Sequence, residues 1–272
     1  WFPCYDLPFD KATYSAEYTV PDGWVMASNG GLDSTITNPN NTVTTYWNHP
    51  YPIETYLISV AISDYAEFSD SYQGIPLEYY VYPSHLTWAQ NDFQTVPDMM
   101  ACYIDRFGVY PFEKYGMAEA PIFGGGGAME HQTMTTLGHS MINGYGGGEF
   151  IICHELSHMW WGDAVSLVDW HHMWLNEGFA TYSEALWAEY QYGYSSMQTY
   201  THNSIRMPYI SWENPANAYP LSNPPVNPTY LFSLLTYEKG GSVLHTLRYN
   251  LGDSVFFQAL HEARLSRHVH HT

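Results

Sequence analysis

Residues 152–163 read ICHELSHMWWGD and place His154 and His158 four positions apart, with Glu155 directly after the first histidine. If the stretch is helical, the two imidazoles lie one turn apart on the same face and can converge on one ion at about 2.0–2.1 Å. Glu155 sits beside a ligand without being one, so its carboxylate can reach a water held by that ion. Zinc lowers the pKa of bound water toward roughly 7, and a neighbouring carboxylate can then take its proton. Two histidines leave the site short, because catalytic zinc takes three protein ligands and keeps one position open. A third candidate follows: eighteen residues separate His158 from Glu177, which opens the next helical stretch in WLNEGFA. The competing reading, a histidine pair satisfied in a core, loses ground once Glu177 is counted.

The charge balance limits what such a chain can bind. There are 27 acidic residues against 8 Lys+Arg, a net charge of −19. Nucleic acid and anionic lipid are excluded as partners, since a phosphate backbone needs clustered Lys and Arg. Metal ions and cationic groups such as a free amino terminus are favoured, although a solvated acidic surface accounts for most of the excess. No segment approaches the twenty or so apolar residues needed to span a bilayer, so no transmembrane segment is expected. The opening WFPCYDLPFDK has neither a basic start nor a long apolar run and reads like the middle of a folded domain, so the chain is expected to be a piece of a longer protein. Cys4, Cys102 and Cys153 form no C-x-x-C pair. Cys153 precedes His154, but adjacent helical positions point about 100° apart, so it reads as a buried small hydrophobe. Compartment and oligomeric state stay open, with a secreted or periplasmic setting favoured.

An α+β fold is expected. TYSAEYTV (13–20), TVTTYW (42–47), TYLISVAI (55–62) and LEYYVY (77–82) are rich in β-formers, with turn material PDG, NGG and NPNN between them. Residues 1–83 therefore read as part of an antiparallel β-sheet domain. From 84 the period changes. Ser84 is a candidate N-cap for a helical run to Gly108 that Pro97 kinks or divides. A glycine run (GGGGAMEHQTMTT, 124–136) leads into a short extended segment, and GYGGGE (144–149) opens the HELSH helix, which Gly162 would end. Helices are also expected from Asn176, from Tyr230 and from Asp253, making 84–272 a mostly helical domain.

HELSH, the eighteen-residue gap and the NEGFA glutamate together resemble the aminopeptidase N family of zinc metallopeptidases, in the gluzincin clan. WFPCYDLPFDKATY and VPDGWVMASNG resemble that family's N-terminal β domain, GAME (127–130) its exopeptidase motif and TYEKG (236–240) its catalytic tyrosine motif. The resemblance implies a thermolysin-like catalytic domain, truncated at its C-terminus, and one Zn2+ per chain. It implies His154, His158 and Glu177 as zinc ligands, Glu155 as general base, and Tyr237 as hydrogen-bond donor to the oxyanion. Glu130 would bind the α-ammonium of a peptide with a free N-terminus, a pairing that excludes blocked peptides. Gly126, Gly127 and Ala128 lack bulk, so a peptide can lie against their backbone as an added strand, unless the run is only a flexible loop. Glu184 is either an outer carboxylate orienting a zinc-bound histidine or a surface glutamate.

One position departs from the pattern. The family's motif continues with Asn after the glutamate, where this chain has His131, whose imidazole is bulkier and titrates near neutral pH, so recognition of the amine is expected to be altered or pH-sensitive. The activity implied is removal of N-terminal residues from peptides through a zinc-activated water. Two alternatives stand beside it: a thermolysin-type endopeptidase on the same core, and a non-catalytic scaffold that keeps the fold. GAME argues against the first and the filled catalytic positions against the second.

Overall fold

The computed structural model describes residues 1–225 and 227–268. They form two compact units, one of residues 1–100 and 111–159, the other of residues 101–110 and 160 onward.

The first unit holds the sheets. β1 (Lys11–Pro21), β2 (Val25–Ser28), β3 (Gly31–Asn38), β4 (Thr42–Glu54), β5 (Val60–Ser63), β6 (Ala66–Tyr72) and β7 (Ile75–Val81) follow one another with antiparallel pairings only. β4 lies between β1 and β3 and buries Trp47, His49 and Ile53, while β3 is an edge whose middle residues face solvent. The NGG turn needs its glycine: Gly30 has φ +78°, and a Cβ there would sit 2.3 Å from the Asn48 carbonyl oxygen. Asn41 takes a left-handed conformation in the NPNN turn, as short polar side chains tolerate.

α1 (Leu86–Asp92) and α2 (Val96–Phe107) then lead to β8 (Tyr115–Ala120), β9 (Ala128–Met129) and β10 (Thr135–Gly138). These complete a five-stranded sheet in the order β6-β7-β8-β10-β9, in which β7–β8 and β8–β10 are parallel. Parallel neighbours require a crossover, and the α1–α2 segment is that connection. The same sheet thus runs through position 83 without a break. Tyr65, Tyr80, Ala118 and Met134 form part of its core. α3 (Glu149–His158) closes the unit.

The second unit is helical: α4 (Trp174–Tyr192), α5 (Tyr194–Tyr200), α6 (Met207–Trp212), α7 (Pro228–Leu231), α8 (Glu238–Leu251) and α9 (Asp253–His268). Tyr103, Phe107, Tyr110, Trp160 and Trp161 pack edge-on around one another in its core. Arg248 is buried, bonded to both Glu189 oxygens and both Asp253 oxygens, which fixes α8 to α4 and to the start of α9.

Three local expectations change, and at Pro97 one of two expected outcomes is realised. Ser84 is no cap, because a 3-10 turn, Pro83–His85, precedes α1, which starts at Leu86 with no side-chain cap. Pro97 divides the helical run by standing in the first turn of α2, where its missing N–H costs nothing. TYLISVAI is extended only from Val60, since residues 55–57 form a 3-10 turn. The helix expected from Tyr230 breaks into α7 and α8, separated by turns over residues 232–237.

Candidate active site

α3 carries the histidine pair, and its entry is held by one carboxylate. Asp92, at the end of α1, is buried and accepts backbone N–H bonds from Asn143 (2.8 Å), Gly144 (2.9 Å) and Gly146 (2.7 Å). This fastens the glycine loop immediately before the helix. Every α3 residue from Ile152 to His158 is buried, so the helix is surrounded rather than amphipathic. The His154 and His158 rings lie 4.8 Å apart between centroids, inclined at 76°, with residue exposures of 8% and 1%. Two imidazoles on one helical face, removed from bulk water, are a donor pair suited to zinc. The Cys153 thiol turns back to the Phe150 carbonyl at 3.2 Å, in keeping with its reading as a buried small residue.

Beside this helix stands the segment that carries Glu130. Glu130, Glu155 and His158 are all buried, and each offers a ligand atom within 4.8 Å of the others. β9 brings Glu130 there. Ala128 pairs with Leu137 and Met129 with Thr136, and β9 is the last strand of its sheet. Gly125 (φ +97°) and Gly127 (φ +77°) bend the chain into that strand, and the Gly127 carbonyl accepts from Gly138 N–H at 2.9 Å. At Gly125 a Cβ would run into the His139 ring at 2.2 Å, so the turn excludes larger residues. Gly126 is extended.

His131 and Gln132 anchor the other end of the segment. His131 Nδ1 lies 2.8 Å from the Thr136 hydroxyl, and burial pushes its pKa down to about 4. The ring is therefore neutral at physiological pH, which corrects the expectation of near-neutral titration at this position. Gln132 donates to His49 Nε2 at 2.6 Å, and His49 Nδ1 lies 2.8 Å from Glu113. Asn29 donates to the Gln132 carbonyl at 2.6 Å. Sequence reasoning missed this chain, because its members come from β4, the loop after α2 and the β9–β10 connection.

The second unit holds the remaining candidates. Glu177 is in the first turn of α4 and only 5% exposed. Glu184 is half-buried and accepts a short bond from the Tyr200 hydroxyl. His171 and His172 are half-buried in a 3-10 turn, His171 next to Asp169. Tyr237 is half-buried at the N-cap of α8. Three residues on, Gly240 packs against Gly178 of α4: a Cβ on either would lie 2.8 Å from the other's Cα. The structure thus gathers His154, His158, Glu155 and Glu130 in one unit, and puts Glu177 and Tyr237 on two contacting helices of the other.

Known families match both parts of the chain. The profile described as the Peptidase family M1 domain matches residues 91–271, and the Peptidase M1 N-terminal domain matches residues 1–57. This chain belongs to peptidase family M1. Endoplasmic reticulum aminopeptidase 1 of Rattus norvegicus is 27% identical over 94% of the chain, and aminopeptidase N of Streptomyces lividans is 29% identical over 98%. The chain spans 29% and 33% of those relatives' own lengths. Among solved structures, an M1 zinc metallopeptidase from Deinococcus radiodurans superposes with a TM-score of 0.82 at 27% identity, over 97% of this chain and 58% of that one. The fold is that of the M1 zinc metallopeptidases: α+β, with an antiparallel β domain ahead of a thermolysin-like, mostly helical one. Zn2+ comes with this M1 fold as its cofactor, and the buried imidazole pair of α3 fits it.

Proposed function

We propose that this M1 chain carries the catalytic centre of a zinc aminopeptidase that removes N-terminal residues from peptides with a free N-terminus. One observation carries the exopeptidase part: a second buried carboxylate, Glu130, stands within 4.8 Å of the Glu155 and His158 donor atoms. An endopeptidase gains nothing from an anion there, whereas an aminopeptidase needs one to pair with the α-ammonium. Relatives that bear the name aminopeptidase support the reading, as does the Deinococcus radiodurans enzyme, a mutant of which has been solved with a Tyr-Ser-Ala substrate.

In this reading His154, His158 and Glu177 hold the metal. When bound, Zn2+ polarises the scissile carbonyl and makes water acidic enough to attack near neutral pH. Glu155 removes the proton of the attacking water and passes it to the leaving amine. Glu130 fixes the substrate's amino end, so that only the first peptide bond reaches Glu155. Gly126, Gly127 and Ala128 present backbone groups at the sheet edge to the extended peptide. Tyr237 donates a hydrogen bond to the carbonyl oxygen as negative charge gathers on it.

The test compares a short peptide with its N-acetylated twin on the zinc-loaded protein. Hydrolysis of the free peptide alone is expected. Equal rates would remove the exopeptidase assignment, and full activity without zinc would remove the metal.

A further inference from the structure

Beyond α5 the helix widens. Residues Thr201–Arg206 form π turns before α6 resumes at Met207. Such turns are rare and frequently mark places where side chains serve a site. In the same unit they share with α6 and α8 a cavity of about 410 Å3, whose lining includes Thr201, Arg206, Tyr209, Ile210, Ser242 and His245.

The charge of this cavity runs against that of the chain. With 27 acidic residues against 8 basic ones, an average surface patch is anionic, yet none of the residues lining this cavity is Asp or Glu. Among the described side chains, Lys11, Arg106, Lys114, Lys239, Arg248 and Arg264 each engage a carboxylate or a carbonyl. Arg206 makes no such bond. Thr201 is 7% exposed, and its hydroxyl is buried in the wall, without a hydrogen-bond partner among the described residues. His245 has the Tyr182 hydroxyl 3.5 Å from Nδ1. With that nitrogen accepting, the neutral ring carries its proton on Nε2 and is a donor there. Two anions bear on the lining from outside it: Glu213, bonded to the Tyr209 hydroxyl and 3.9 Å from Lys239, and Glu189, which acts on His245 and is itself paired with Arg248.

We propose that this cavity binds a small molecule carrying one carboxylate on an apolar body. The Arg206 guanidinium matches a carboxylate in shape and charge, His245 offers a second donor at Nε2, and Tyr209 and Ile210 cover the apolar part. This site is separate from the residues assigned to peptide hydrolysis and does not depend on that assignment.

Titration calorimetry on the zinc-loaded protein tests it with N-acetyl-L-leucine, its neutral amide and inorganic phosphate. The blocked amine keeps these probes from relying on Glu130. Saturable binding of the acid is expected, with the amide weaker by roughly tenfold or more. Arg206→Gln removes a solvent-facing charge and should weaken the acid by roughly the same factor while leaving the melting temperature unchanged. Equal binding of acid and amide, or acid binding undiminished in Arg206→Gln, overturns the proposal, the latter because it places the carboxylate elsewhere. Phosphate binding more tightly than the acid overturns the ligand class.

Discussion

Gly178 and Gly240 are packed backbone to backbone where α4 and α8 meet, each occupying the space a Cβ on the other would need. Gly178 follows Glu177, and Gly240 is three residues beyond Tyr237. The two helices that carry these candidates are therefore held at a spacing only a glycine pair permits. Glycine inside a helix costs about 0.5–1 kcal/mol relative to alanine, so its presence at both positions is explained by this close approach.

Gly240→Ala is expected to destabilise the protein by about 1–3 kcal/mol, as overpacking does. At about 2–4 °C per kcal/mol for a chain of this size, the melting temperature falls measurably in calorimetry. Gly241→Ala is the control, since the atoms nearest its Cβ would be side-chain carbons of Ile205 and Thr181, the closest at 3.3 Å. Should both variants melt alike, the close approach is not what restricts position 240.

Glu155→Gln keeps shape and burial but cannot accept a proton. Turnover should fall by roughly 10²–10⁴-fold with zinc content unchanged. Atomic absorption alongside steady-state kinetics reads both. Wild-type turnover in this variant would leave the chemistry without its base.

Glu130→Gln removes the anion that pairs with the substrate's amino terminus. Loss of a charge-assisted bond worth about 1.5–3 kcal/mol should lower kcat/KM for free peptides by roughly 10–100-fold. The preference over N-acetylated peptides should shrink with it. An unchanged preference would assign amine recognition to another group.

Asp92→Asn leaves a group that can accept fewer of the three N–H bonds at residues 143, 144 and 146. A destabilisation of about 1–3 kcal/mol is expected, with faster amide exchange across the loop that opens α3. Protection as strong as in the wild type would mean the loop is held by its own turns.

His131 makes stability acid-sensitive. Its folded pKa is about 4, against about 6.5 for an exposed histidine. Below about pH 6.5 the unfolded chain takes up a proton that the folded protein refuses until about pH 4, so stability falls as pH drops through that window. Above it the term is constant. His131→Asn should flatten the melting temperature between pH 6.5 and 4, and an NMR titration should show the ring unchanged at neutral pH. A midpoint near 6.5 in the folded protein would contradict this.

How much was legible follows from the distance over which each feature is specified. The alternation in TYSAEYTV and LEYYVY marks β1 and β7, because period two is written into neighbouring residues. β3 escaped notice because its middle residues are solvent-exposed on an edge, and β2 because four residues carry too little pattern. That β7 and β8 run parallel follows from the crossover between them and from no residue in either strand. The helix over residues 194–212 passed unread: its π turns break the 3.6 period by which helices are recognised.

His154, Glu155 and His158 were fixed by local chemistry alone. Once HELSH is helical, two imidazoles must share a face and the glutamate must stand next to them, whatever surrounds the helix. Folding decided what lies opposite. It buried Glu130 beside Glu155, silenced His131 by desolvation, tied Gln132 to His49 across more than eighty positions, and set α4 on α8 through two glycines. Those relations depend on which distant surfaces exclude water from each other, and covalent order along the chain places no constraint on that.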